Sequence, residues 1–400
     1  MKIVVTPRGF AKCGLDNVKI IENAGFLVEF NDTGDAYTKE EFYEKTKDAD
    51  GIIVGVETVD KEFIDAHPRL KAVVKFGVGT DNIDVEYCRK KDIFVGRTVG
   101  SNARSVAETA ISFMLADSKN LYESISDTRA HGWSKQTGYE ISGKAVGIVG
   151  FGAIGRKVAQ MAFGLGMKVL VYDPYSIDDK AVQAFDVEVV SFEEILKRSD
   201  FVSLHIPLTT ETRNLVTLTE MRMMKPNAVL INTARGGIVN ESELYTALSQ
   251  KTIRAAYFDV MSTEPPMADE PLLSLPNFYL TPHIASRSEE AEKNTADMAT
   301  QVMIEALKAQ SIAARNYAIA PRVKAYDEFD LCDSVACQVY FGANTEEELS
   351  NQAIRETDSI IAVDKNDKPI LPFISRNLNP NFVKTIKKRT TFFAVRFSVF

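Results

Sequence analysis

Cysteine and histidine are scarce in this chain, with four of each among 400 residues. Cys13, Cys88, Cys332 and Cys337 are scattered without metal-binding spacing, so no metal site is expected and they read as reduced thiols of a cytoplasmic protein. Long apolar runs are missing too. No stretch is long enough to span a bilayer, and the opening MKIVVTP has too short an apolar run for a signal peptide. Positive charge is not in excess: the net charge of −8 speaks against a general nucleic-acid or anionic-membrane binder. There is no internal repeat and no low-complexity segment. What remains is ordinary globular composition, 45% hydrophobic and 26% charged, in a chain long enough for two or three domains.

The most informative stretch runs from Ser142 to Pro174. An apolar run, Ala145 to Val149, has the length of a buried parallel strand. Gly150, Gly152 and Gly155 follow as G-x-G-x-x-G. The first permits a tight turn, the second lets a pyrophosphate approach the backbone, and the third lets helix pack on strand. An amphipathic segment starts near Ala153, so its unpaired N–H groups and positive dipole end face that phosphate. A second strand, Lys168 to Tyr172, ends on Asp173, an acid placed to accept hydrogen bonds from an adenosine ribose. Asp173 would repel the extra phosphate of NADP, and no Arg or Lys follows it directly, so NAD is the expected cofactor.

Either side of this stretch, strand-like and helix-like pieces alternate, which implies parallel sheets covered by helices. Before it, strands are expected at Lys2 to Val5, Phe26 to Phe30, Gly51 to Val54, Ala72 to Lys75 and Ile93 to Val95. Helices are expected at Lys39 to Lys47 and Val85 to Lys91. The turn from Lys75 to Asp81, with Val78 and Gly79, either holds an anion on its N–H groups or simply joins strand to helix. Ser101 to Lys119 reads as a long helix with Ala107, Ala110, Ile111, Met114 and Leu115 at helical spacing. Residues 121–141 are polar and read as irregular, either an arm that packs on a second subunit or a surface loop. His67 and His131 lie in polar stretches and are expected to be exposed.

After Asp173 the expected strands are Val187 to Val190, Phe201 to Leu204, Ala228 to Ile231, Ala255 to Phe258 and Phe278 to Leu280. Open α/β sheets bind ligands beyond the carboxyl ends of their strands. Those ends carry His205-Ile206-Pro207, then Asn232 to Gly237 with Arg235, then Asp259, then Thr281-Pro282-His283. Glu264 lies in a turn stiffened by Pro265 and Pro266. A guanidinium such as that of Arg235 grips a carboxylate through two parallel hydrogen bonds. An imidazole such as that of His283 moves protons near neutral pH, and Glu264 is the candidate to hold its far nitrogen. His205 competes for the proton role but reads better as pocket wall beside the cofactor.

These pieces resemble the NAD-dependent D-isomer-specific 2-hydroxyacid dehydrogenases, above all the phosphoglycerate dehydrogenase branch. The matching segments are GVGTDNID from Gly77, Asn102 to Glu108, GFGAIG with Asp173, His205-Ile206-Pro207, NTARGGIVNE from Asn232 to Glu241, Asp259 with Glu264-Pro265-Pro266, and Pro282-His283. The resemblance implies an α/β fold of two doubly wound parallel-sheet domains: a Rossmann NAD domain, residues 101–285, inserted in a flavodoxin-like substrate domain. The latter comprises residues 1–100, completed by 286–320. A homodimer or homotetramer built through the NAD domains, with residues 121–141 as the arm, is implied as well. Arg235, Glu264 and His283 occupy the catalytic positions. Ala153, Ile154, Asp173, Ile206, Thr233, Ala234 and Asp259 would line the NAD site together with His205, Pro207 and Ala285, and Asp259 would hold the nicotinamide amide. N–H groups at Val78 and Gly79 would meet the carboxylate of a 2-hydroxy or 2-oxo acid.

Two departures from the pattern stand out. Ile284-Ala285-Ser286-Arg287 replaces a glycine-rich run after His283, which changes the expected contacts near the nicotinamide carboxamide. Lys75 stands where the branch usually carries an arginine facing a substrate phosphate, which a lysine meets only as a point charge. Phosphoglycerate therefore leads, with glyoxylate or hydroxypyruvate close behind. A nicotinamide-sensing corepressor on the same scaffold is the rival that is not an enzyme. Residues 321–400 fall outside the resemblance as a small extension of unassigned role, with strands expected at Cys337 to Phe341 and Ser359 to Val363 and a helix at Thr345 to Glu356.

Overall fold

In the computed structural model the chain divides into two units, residues 1–98 with 293–400, and residues 99–292. The structure describes residues 1–319 except 176 and 178, with backbone alone at 179–181 and 311–319, and the backbone of three short antiparallel strands, Ile360–Val363, Thr385–Lys388 and Thr391–Ala394. The strand expected at Ser359 to Val363 is thus present. The elements expected at Cys337 to Phe341 and Thr345 to Glu356 lie outside the described residues. Among the described residues no helix is long and apolar enough to cross a membrane.

The first unit holds strands β1 (Lys2–Val5), β2 (Leu27–Phe30), β3 (Gly51–Val54), β4 (Ala72–Lys75) and β5 (Phe94–Arg97). They pair in the order β2-β1-β3-β4-β5, every pair parallel. β3 is buried along its whole length, which is why its sequence, GIIV, is a run rather than an alternation. The helices after β2, β3 and β4 begin where the sequence supplies caps: Thr38 with Glu41 as a capping box, then Asp60 and Asp84. A long helix, Glu289–Ile319, returns to this unit, where Ala296, Ala299, Met303 and Leu307, at helical spacing, join Ile3, Val5, Ile53 and Val74 in one core.

His67 corrects the sequence reading: it is 3% exposed, not solvated. It ends the helix Lys61–Ala66 and its ring folds back to stack on Phe63, centroids 3.9 Å apart. Nε2 lies 2.9 Å from Thr46 Oγ1 and Nδ1 2.6 Å from the Phe63 carbonyl, so the polar neighbours in sequence hid a satisfied core group.

The second unit is a seven-stranded parallel sheet of β6 (Ala145–Val149), β7 (Lys168–Tyr172), β8 (Val187–Val189), β9 (Phe201–Leu204), β10 (Val229–Asn232), β11 (Ala255–Phe258) and β12 (Phe278–Leu280). The order β12-β11-β10-β9-β6-β7-β8 reverses between β6 and β9, the switch point at which doubly wound sheets open a crevice. The helix expected from Ser101 to Lys119 spans Ala103–Ser118. Ala107, Ala110, Ile111 and Met114 are buried on it, whereas Leu115 is 37% exposed. The stretch read as irregular contains a second helix, Leu121–Arg129, that buries none of its residues, so its apolar pattern carried little signal. His131 is exposed, as expected.

Candidate active site

The glycine turn between β6 and the helix Ala153–Gly164 has three different requirements. Gly150 has φ +96°, and a Cβ there would stand 2.6 Å from the His205 carbonyl oxygen across the switch point. At Gly155 a Cβ would stand 2.1 Å from the Gly150 carbonyl oxygen, so helix packs on strand only through glycine. At Gly152 a Cβ would meet nothing within 4 Å. The helix that starts there has no side-chain cap, which leaves its first N–H groups for a ligand. Asp173, at the end of β7, accepts the Phe151 N–H at 2.7 Å and the Tyr175 N–H at 2.9 Å, so the acid that would meet a ribose also holds the turn.

Around this turn, His205 Nδ1 and Thr233 Oγ1 are buried without a hydrogen-bond partner. Open space over Gly152, uncapped N–H groups and two orphaned polar atoms all fit a dinucleotide. Burial presses the His205 pKa down to about 3. Its Nε2 lies 2.9 Å from Ser203 Oγ, so this ring stays neutral and serves as wall rather than proton carrier. Ala153, Ile154, Ile206, Pro207 and Ala234 lie on the same unit, around the ends of β6, β9 and β10.

The loop after β10 presents Arg235. Asn232 is buried; its Oδ1 accepts the Ala234 N–H at 3.0 Å and its Nδ2 donates to the Arg235 carbonyl at 2.9 Å. Arg235 Nη1 donates to the Ala234 carbonyl at 2.7 Å. A Cβ on Gly236 would stand 2.0 Å from the Met261 carbonyl carbon, so this loop rests directly on the backbone of the turn that carries Glu264.

Asp259, 1% exposed at the end of β11, anchors the loop after β12. Oδ1 accepts from Thr281 Oγ1 at 2.5 Å and from the Ile284 N–H at 2.8 Å, and Oδ2 accepts the Ala285 N–H at 2.8 Å. The Asp259 and Thr281 carbonyls accept the His283 N–H at 3.0 and 2.9 Å. So held, His283 keeps a left-handed backbone, φ +53°, an uncommon conformation for a non-glycine residue. Its Nδ1 lies 2.7 Å from Glu264 Oε2, while Glu264 Oε1 accepts the Met261 N–H at 3.0 Å. A carboxylate only accepts, so the proton sits on Nδ1 and the Nε2 lone pair is left for a substrate. Sequence reasoning placed Asp259 against the nicotinamide amide and missed these loop contacts; a buried acid at a strand end was the available signal.

Lys75, Val78 and Gly79 belong to the first unit, whereas Arg235, Glu264 and His283 belong to the second. The Lys75 ammonium donates to Asn82 Oδ1 at 2.7 Å and to the Gly55 carbonyl, contacts that tie β4 to neighbouring loops. Val78 and Gly79 are half-buried in the turn after β4.

A glycine turn at the switch point of a doubly wound sheet, with an imidazole–carboxylate pair and an arginine at the ends of its strands, is the arrangement of a dinucleotide-binding domain. The model of the D-isomer specific 2-hydroxyacid dehydrogenase NAD binding domain matches residues 111–285. The D-3-phosphoglycerate dehydrogenase of Methanocaldococcus jannaschii is 38% identical over 299 residues, covering 74% of this chain and 56% of that protein. The glyoxylate reductase of Thermococcus litoralis is 38% identical over 271 residues, covering 65% of this chain and 81% of that protein. A solved protein of Thermus thermophilus superposes with a TM-score of 0.69 at 30% identity, covering 77% of this chain and 97% of that one. The chain belongs to the D-isomer-specific 2-hydroxyacid dehydrogenase family, and its second unit is the NAD-binding domain of that family. A second model, Stage II sporulation protein, matches residues 295–363, whose described helical part packs in the first unit's core.

Proposed function

We propose that this chain transfers a hydride between NAD and a D-2-hydroxy acid or its 2-oxo acid. The observation that carries the reading is the 2.7 Å contact between His283 Nδ1 and Glu264, on the sheet that also carries the phosphate turn. Bound NAD supplies the hydride donor or acceptor at its nicotinamide carbon. Arg235 orients the substrate carboxylate and carbonyl oxygen through its planar fork. His283 Nε2 gives a proton to the carbonyl oxygen as it is reduced, or takes it from the hydroxyl on oxidation. Glu264 steadies the cationic ring between those events. Neutral His205 walls the cofactor side.

The preferred substrate is the phosphoglycerate–phosphohydroxypyruvate pair, in line with the phosphoglycerate dehydrogenases among the relatives. Glyoxylate or hydroxypyruvate reduction is the second reading, favoured by the contacts that occupy Lys75 within its own unit. The protein acts as a homo-oligomer in which a second copy covers the exposed Leu121, Tyr122, Ile125 and Trp133. An NADH-oxidation screen over phosphohydroxypyruvate, hydroxypyruvate, glyoxylate, pyruvate and 2-oxoglutarate tests the activity. Turnover of at least one is expected; peptide binding without turnover of any would favour the corepressor reading.

A further inference from the structure

Glu241 opens the helix Glu241–Ser249, yet that helix is capped by its neighbour Asn240, whose side chain accepts the Glu243 N–H. The Glu241 carboxylate is instead directed to a single residue of another loop. Its Oε1 accepts the Ser262 N–H at 2.7 Å and the Ser262 hydroxyl at 2.8 Å. Ser262 follows Met261, the residue on whose carbonyl carbon Gly236 rests and whose N–H meets Glu264 Oε1. Adjacent N–H groups of one turn are therefore held by two acids, one on the β10 loop's helix and one that touches the imidazole.

We propose that Glu241 is a positioning residue of this site. It ties the turn 261–264 to the segment that follows Arg235, and so sets Glu264 against His283 Nδ1 while keeping both at a constant separation from the guanidinium. Charge-assisted hydrogen bonds are the stronger kind, and two of them converge on one oxygen. Without them the turn is pressed against Gly236 from one side only, and Glu264 loses its fixed register to the ring. Displacements of about 1 Å remote from the reacting atoms cost up to roughly 100-fold in rate.

The effect on turnover rests on the dehydrogenase reading; the effect on the imidazole does not. The test compares the full chain with Glu241→Ala, Glu241→Gln and Ser262→Ala. The readouts are nitrogen NMR of histidine-labelled protein, which has four rings to assign, and NADH oxidation with the 2-oxo acid that the parent turns over. In the parent the His283 proton is expected to be fixed on Nδ1. In Glu241→Ala it is expected to average between the two nitrogens, and kcat falls roughly 10–100-fold while the KM for NADH stays within about twofold. Glu241→Gln, which keeps an accepting oxygen, recovers most of both, and Ser262→Ala loses part of both. A folded Glu241→Ala protein that retains the Nδ1 proton signature overturns the proposal; if that variant does not fold, the same retention in Ser262→Ala does so. A tautomer lost in Glu241→Ala, in a protein whose parent oxidises no NADH, upholds the tie and refutes the dehydrogenase reading alone.

Discussion

Gly152 and Gly155 stand three residues apart, and adding one methyl to each separates cofactor binding from folding. At Gly155 the added carbon would lie 2.1 Å from the Gly150 carbonyl oxygen, against an ordinary contact of 3.4 Å or more. Helix and strand must part by more than an ångström, and overpacking of that kind costs about 1–3 kcal/mol. For a unit the size of Val99–Glu292 this lowers the melting temperature by roughly 2–12 °C. At Gly152 the carbon meets nothing within 4 Å and φ is −74°, so Ala fits the backbone. The entropy removed from the unfolded chain, about 0.4–1 kcal/mol, offsets a slightly poorer helix cap. Gly152→Ala should therefore melt with the parent while its methyl occupies the space of the pyrophosphate, weakening NADH binding by about tenfold or more, which is about 1.4 kcal/mol. Thermal denaturation without cofactor and titration of NADH fluorescence measure the two effects. A Gly152→Ala protein that binds NADH like the parent would refute the placement of the phosphate over this turn.

Three further substitutions probe the rest of the site. Arg235→Lys keeps the charge but loses the fork, so kcat/KM for the 2-oxo acid should fall roughly 10–100-fold with NADH affinity unchanged, as steady-state kinetics and titration will show. Glu264→Gln has one accepting oxygen where two are used, for the Met261 N–H and for His283, so kcat should drop about tenfold; an unchanged kcat would mean the second contact is idle. His205 supplies a pH prediction. Its ring takes a proton near 6.5 when unfolded and only near 3 when buried, so the unfolded state binds more protons between these values. Stability from this residue is thus full above about pH 6.5 and is lost as pH falls, by at most about 1.4 kcal/mol per unit. Urea unfolding of parent and His205→Gln between pH 7 and pH 4 should give a shallower slope for the variant; parallel curves would contradict the burial argument.

Strands were legible wherever they are buried on both faces, because continuous apolar runs such as GIIV and AVGIV admit few other readings. The ends of those strands then pointed to Arg235, Asp259 and His283. Leu121–Arg129 is hard to read, since a helix with no fully buried residue, whose Tyr122 stacks on Tyr279, shows little core-facing period. His67 was misread because polar neighbours in sequence say nothing about rings that stack on it from a preceding turn. Contacts between loops were the hardest. The grip of Asp259 on residues 281–285 and of Glu241 on Ser262 joins segments about 20 residues apart whose order in the chain does not reveal their approach. The resemblance sets Lys75 where an arginine would face a substrate phosphate; its amine is bonded to Asn82 and Gly55, contacts that the sequence alone does not reveal.

The most direct test is a cycle of His283→Ala, Glu264→Ala and the double variant, with kcat measured on the 2-oxo acid that the parent reduces fastest. If Glu264 works only by holding the ring that moves the proton, His283→Ala loses about 10²–10⁴-fold and adding Glu264→Ala costs nothing more. Losses that multiply in the double variant, or a His283→Ala protein with near-parental kcat, would contradict the account.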